Sequence, residues 1–191
     1  MARTGSRLTT VVVTAAILAI AAVAAWAAAD VGRDDTHAAE PGGRATATAA
    51  GIPSRPDDAV ALTVTYVFDG DTIEVAEPSA GGRIRVRLIG IDTPEGTPAP
   101  ECWADEARAH LAELLPEGAT VWSAPDAEPN DRYGRALRYL WTDDGRFVTY
   151  ELVAAGDAET LRIAPNTAHA DLFAAAQVEA EAVRAGQWGA C

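Results

Sequence analysis

The spacing of apolar residues changes along the chain, and each change marks an element. From Leu8 to Ala29 the chain is uncharged and dominated by small apolar residues, behind Arg3 and Arg7. This reads as a secretory signal with a small-residue cleavage site near Ala27-Ala28-Ala29, or as an uncleaved membrane anchor, since about 20 apolar residues can span a bilayer. Residues 30–58 have no apolar period and are broken by Pro41-Gly42-Gly43 and Pro53-Ser54-Arg55-Pro56. That composition predicts a flexible linker, leaving residues 59–191 as one folded domain.

The domain opens with alternation. Val60, Leu62, Val64 and Phe68 stand against Ala61, Thr63 and Thr65, which predicts a half-buried strand. Asp69-Gly70-Asp71-Thr72 turns it into a second strand with Ile73 and Val75, and Pro78 to Gly82 reads as a hairpin loop. In the third strand Ile84, Val86 and Leu88 face one way and Arg83, Arg85 and Arg87 the other. Ala104, Ala107, Leu111, Leu114 and Leu115 then recur at helical spacing across 103–115 and stop at Pro116. Strands are predicted at Thr120–Ser123 and Ala136–Trp141, a short helix from a Thr149 cap to Gly156, and a last helix over 167–185 with Leu172, Phe173, Ala176 and Val183 inward. Five short strands with a helix after the third and helices at the end predict an α+β, mainly β fold: a five-stranded OB-fold Greek-key barrel with three helices.

Charge and cysteine content narrow the setting. The net charge is -13, and all 15 cations are arginine. Such acidity opposes tight binding of long polyanions, because phosphate affinity rests on cations that release counterions. It leaves room for a hydrolase whose few arginines converge on one site. Cys102 and Cys191 lie too far apart for a CxxC motif; outside the cytoplasm they are expected to pair, the alternative being two lone thiols. A secreted or anchored extracytoplasmic monomer is the expectation.

Candidate chemistry sits in three short blocks. Asp71 closes a turn and Asp92 ends a strand, and the barrel reading puts both on one rim. Two carboxylates, a backbone carbonyl and water make a hard oxygen site suited to calcium; zinc would want histidine or cysteine, and none stands near these motifs. Asp131-Arg132-Tyr133-Gly134-Arg135 puts a glycine just before an arginine at a strand start, where the backbone can aim the guanidinium at the rim. Arg87 and Arg135 then hold one phosphate from two sides, with Glu95 the nearest carboxylate to activate water.

Val-Phe-Asp-Gly-Asp-Thr-Ile-Glu-Val at 67–75, Val-Arg-Leu-Ile-Gly-Ile-Asp-Thr-Pro-Glu at 86–95 and Asp-Arg-Tyr-Gly-Arg at 131–135 resemble, in order and spacing, the signature blocks of the thermonuclease (staphylococcal nuclease) family. The resemblance extends over about residues 60–189 and takes in Glu-Leu-Val-Ala-Ala-Gly at 151–156 and Pro-Asn at 165–166. It implies calcium-dependent cleavage of DNA and RNA that leaves 3'-phosphates. On this chain it implies Asp71 and Asp92 as calcium carboxylates, Thr93 as carbonyl donor and Asp69 as an acid acting through water. It further implies Glu95 as general base, Arg87 and Arg135 on the phosphate, and Arg132 and Tyr133 as substrate contacts beside them.

Some positions depart from the family. Arg162 and Ala164 stand where its type member has two nucleotide-packing tyrosines, and its lysine-rich loop is here Gly96 to Trp103, acidic and holding Cys102. Trp103 is either a replacement stacking surface or a packing residue. His110 and His169 read as surface residues, and Trp188 as the aromatic that pins the C-terminus. A catalytically silent OB module that binds nucleic acid or another ligand at the cell surface is the competing reading.

Overall fold

The computed structural model describes residues 51–77 and 81–191. The N-terminal apolar run, the expected linker up to residue 50 and Pro78 to Ala80 of the expected hairpin loop lie outside the described residues. Strands β1 (Val60–Val67), β2 (Thr72–Glu77) and β3 (Gly82–Leu88) form an antiparallel meander. A two-residue strand β4 (Ile91–Asp92) and helix α1 (Ala104–Leu114) follow, then β5 (Thr120–Ala124) and β6 (Ala136–Thr142). β6 pairs parallel with β3 and antiparallel with β5, and β5 returns to β1, so the barrel closes in the order β1-β2-β3-β6-β5. Closure leaves none of these strands with an unpaired edge.

The barrel interior is the aliphatic half of each alternating strand: Leu62, Val64, Ile73, Val75, Val86, Leu88, Val121 and Leu140. The predicted phase of β1 holds only in its middle, since Val60 is exposed and the strand's end slips. A bulge between Val64 and Tyr66 turns Val67 inward, leaves Tyr66 outside and puts Phe68 beyond the strand. Helix α1 buries Ala104, Ala107, Leu111 and Leu114, as the spacing predicts.

Helix α2 (Val148–Ala155) begins at Phe147 rather than at a Thr149 cap. Phe147 is fully buried and stacks on Trp141, with centroids 4.7 Å apart, so packing fixes where the helix enters. Thr149 is swallowed in the first turn, and its hydroxyl has no partner among the described residues. Strand β7 (Glu159–Thr160) pairs with β4 in a small second sheet that the sequence pattern does not predict. Helix α3 (Ala170–Ala182) is shorter than predicted. Phe173 and Ala176 face the core, but Val183 is exposed and the chain turns through Gly186 into the short helix α4 (Gln187–Ala190). There Trp188 is partly buried. A Cys102–Cys191 disulfide, with Cα atoms 6.0 Å apart, ties the chain end to the start of α1. Ahead of β1, Pro53 accepts a hydrogen bond from Trp141 Nε1 (3.1 Å), and Arg55 lies 3.9 Å over the Trp122 ring.

Candidate active site

Strand register assembles the site. Thr72 lies opposite Arg87 across β2 and β3, and Val86 lies opposite Ala136 across β3 and β6. Asp71, Arg87 and Arg135 therefore leave their strands at one rim of the barrel, although they are far apart in sequence.

Asp71 is the buried centre of this rim. The turn before it is held by its own N–H donating to Asp69 Oδ1 (3.1 Å). Its carboxylate accepts from the Thr72 hydroxyl (2.9 Å) and from the Thr93 N–H and hydroxyl (both 3.2 Å). Arg87 Nη1 completes the set at 2.8 Å. Burial nevertheless pushes the Asp71 carboxyl up to about 7; Arg87 and Thr72 pull it down, while Asp69 and Asp92 add to the rise. The protein's own donors therefore do not fully compensate this charge.

Arg87 bridges the two proposed metal carboxylates. Nη2 donates to Asp92 Oδ1 at 2.6 Å, while Nη1 also donates to the carbonyls of Leu88 (3.2 Å) and Ile91 (2.8 Å). These bonds hold the guanidinium rigidly, with its side chain 12 % exposed, and leave Nε–H and one N–H of Nη2 for a ligand. The Asp92 side chain is 59 % exposed.

The donor set is all oxygen: one buried carboxylate, one exposed carboxylate and the Thr93 backbone at the same corner. Since Asp71 and Asp92 reach one guanidinium, they are close enough to share one cation. Among the described residues no three His, Cys, Asp or Glu side chains group around a metal position, so an ion held there would need backbone oxygen and water as further ligands. These features fit a hard, hydrated divalent ion and do not fit zinc.

Arg135 is aimed by the turn before it. Asp131 Oδ1 accepts from the N–H groups of Tyr133 and Arg135 (both 2.9 Å), and its Oδ2 accepts from Arg135 Nε at 2.6 Å. Burial alone would raise the Asp131 carboxyl, but these hydrogen bonds outweigh it and hold the group below the usual carboxylate range. Gly134 sits at φ +81° within this turn, a conformation in which a side chain would be strained. Both terminal nitrogens of Arg135 stay available. Asp131 is thus a positioning residue that the motif alone did not single out.

Arg135 lines three pockets, two of which hold other candidate residues. One, of about 470 Å3, is lined by Arg87, Arg132, Tyr133, Arg135, Leu161 and Ile163, among others. The other, of about 260 Å3, holds Glu95, Asp69 and Arg135. Glu95 is exposed, and its loop is closed by reciprocal bonds: its N–H donates to Glu101 Oε2 (2.8 Å), and the Glu101 N–H donates to its carbonyl (2.9 Å). Tyr133 is 69 % exposed; Arg132 donates to its hydroxyl at 2.5 Å.

Residues 85–190 match the family model described as staphylococcal nuclease homologue. The chain belongs to the staphylococcal nuclease family. It is similar to the thermonuclease of Staphylococcus intermedius, 34% identical over 132 residues that cover 65% of this chain and 74% of that protein. Endonuclease YncB of Bacillus subtilis (strain 168) is 30% identical over 160 residues, 81% of this chain and 74% of that one. The thermonuclease of Staphylococcus hyicus is 31% identical over 132 residues, 65% and 73% of the respective chains.

Outside these blocks the structure settles some readings and corrects others. Arg162 does not line the pocket beside Tyr133 but pairs with Asp171 (2.9 Å); the wall there is Leu161, Ile163 and Ala164. Trp103 is a packing residue whose Nε1 donates to Asp157 Oδ1 at 2.8 Å. His110 is not a bare surface residue, since its Nδ1 meets the buried Asp157 carboxylate in a short hydrogen bond. His169 packs edge-on to Tyr139 and Phe147, and burial pulls its pKa down. No spacing rule announces these contacts, because each joins elements distant in sequence.

Proposed function

We propose that this protein is an extracytoplasmic, calcium-dependent nuclease that hydrolyses phosphodiester bonds in DNA and RNA and leaves 3'-phosphate ends. The observation that carries the reading is the clamp of Arg87 on Asp71 and Asp92, one pocket away from Glu95 across Arg135. Asp71, Asp92 and the Thr93 carbonyl would hold the ion, with Asp69 acting through water. Bound there, calcium supplies positive charge that polarises the phosphate and favours ionised ligands and water.

Arg87 and Arg135 bind the scissile phosphate with the donors left after their bonds to the protein, and neutralise charge that grows on its oxygens. Glu95, exposed on a loop whose backbone is tied to Glu101, takes the proton from the attacking water. The P–O5' bond breaks and the leaving 5'-oxygen takes a proton from solvent, giving a 3'-phosphate and a 5'-hydroxyl. Arg132 and Tyr133 contact the adjoining nucleotide. Export of the chain is supported by the apolar N-terminal run and by an exposed disulfide, which persists in an oxidising compartment. Among the described residues no helix is long and apolar enough to cross a membrane.

The test uses purified oxidised protein with denatured DNA and with RNA, in calcium and in chelator. Calcium-dependent cleavage with 3'-phosphate ends is expected. A folded barrel that cleaves neither polymer would overturn the reading in favour of a binding module.

A further inference from the structure

The reaction above uses neither Arg85 nor Arg108, yet both line the pocket that holds Glu95. They frame two aromatic rings that the β1 bulge places outside the barrel. Tyr66 is 43 % exposed, and its ring meets Phe68 edge to face with centroids 4.9 Å apart. The Arg85 guanidinium lies 4.1 Å over the Phe68 ring. Arg108, reaching across from α1, donates Nε to the Phe68 carbonyl (3.1 Å) and lies 5.9 Å from the Tyr66 ring centre.

Arg83, Arg87, Arg135, Arg146 and Arg162 each form a salt bridge, whereas among the described residues Arg108 forms none and Arg85 acts on Glu74, its cross-strand neighbour, only at longer range. In the pocket itself Arg85, Arg108 and Arg135 balance Asp69, Glu95 and Asp105, although the chain as a whole carries -13. A polyanion therefore finds local relief from repulsion here.

We propose that Tyr66, Phe68, Arg85 and Arg108 form a strip that carries single-stranded nucleic acid past Glu95, beyond the nucleotide at the cleaved bond. This rests on the nuclease reading and extends it to the polymer. Phe68 is covered on one face by Arg85, so it braces Tyr66, and the exposed Tyr66 ring takes an unstacked base. Arg108 keeps Nη groups for the next phosphate. A ring and a guanidinium read any base, so the strip serves DNA and RNA alike, while a duplex keeps its bases stacked and away from the ring.

Binding is measured by fluorescence anisotropy in chelator, where no cleavage occurs, with labelled oligothymidylate and oligouridylate of about three and about a dozen nucleotides, lengths that bracket typical single-strand sites. Tyr66→Ala and Arg108→Ala are each expected to weaken the long strands about 10-fold and the short ones less than about 2-fold. Arg108→Ala should also flatten the salt dependence of long-strand binding by about 0.7 in log–log slope. Arg146→Ala, which removes an arginine on the turn before α2, controls for loss of charge alone. Equal effects on long and short strands, or effects no larger than that of Arg146→Ala, would overturn the strip. Arg108→Gln, at an exposed position, guards against misfolding of a single variant. Failure of the wild type to cleave in calcium would remove the nuclease reading in a separate assay, and the length dependence would still decide for or against the strip.

Discussion

Arg87 combines two roles that a substitution cannot separate cleanly. It answers a buried carboxylate and lines the pocket proposed to take the phosphate, so Arg87→Ala leaves Asp71 without its counter-charge and is expected to cost about 3–5 kcal/mol of stability besides its effect on turnover. Glu95 carries no such burden, because its side chain is exposed. Glu95→Gln is therefore expected to lower kcat/KM at least ~100-fold with an unchanged urea midpoint, and activity near wild type would remove it as the base. His110 offers a test at the same scale. Its pKa is raised by the hydrogen bond to Asp157, against burial, with the charges of Asp157, Glu113 and Glu151 adding to the rise. A raised histidine stabilises the fold fully below its ordinary value of 6.5 and loses that contribution as pH climbs through the raised value. The difference in Tm between wild type and His110→Gln should thus be largest in mild acid and shrink toward alkaline pH; a difference flat with pH would show that the pair is not ionic.

Among elements, the junctions carry more information than the strands and helices they join. Helix α2 ends at Gly156 with φ +78°, and the turn after α3 lies directly on it. A Cβ at Gly156 would stand 2.3 Å from the Ala185 carbonyl oxygen, and the Gln187 N–H donates to the Gly156 carbonyl (3.0 Å). Gly156→Ala should destabilise the protein by about 2–3 kcal/mol, read from urea unfolding, because it adds backbone strain to a clash that neither backbone can escape. The sequence offers Gly156 as a helix terminator but says nothing of its contact with Ala185. Likewise, alternation gives the inner face of β3 correctly, while the bulge in β1 breaks the same rule and sets Tyr66 and Phe68 on the outside.

At the scale of the whole molecule, the last residue is fastened beside the loop that holds Glu95. The disulfide closes 89 residues, and on the chain-entropy account it stabilises the fold by up to about 4–5 kcal/mol. Both cysteines are exposed, so reductant should reach the bond and lower the urea midpoint, and Cys102→Ser with Cys191→Ser should reproduce that loss. An unchanged midpoint would mean that α4 and the Glu95–Glu101 bonds hold this corner unaided.

By itself the sequence indicated the barrel, the succession of its five main strands along the chain and the residue types of the candidate site. Local periodicity reports which face of an element is apolar, and the Asp71, Arg87–Glu95 and Asp131–Arg135 blocks are each short enough to be read within one turn or strand. Tertiary structure decided what those blocks do to one another. Register across β2, β3 and β6 set Arg87 between Asp71 and Asp92, and packing of Phe147 moved the start of α2. Closure of the loops put Leu161 and Ile163, rather than Arg162, on the pocket wall, and paired His110 with Asp157. Such contacts depend on where distant segments meet, and no local pattern of apolar and polar residues encodes that distance.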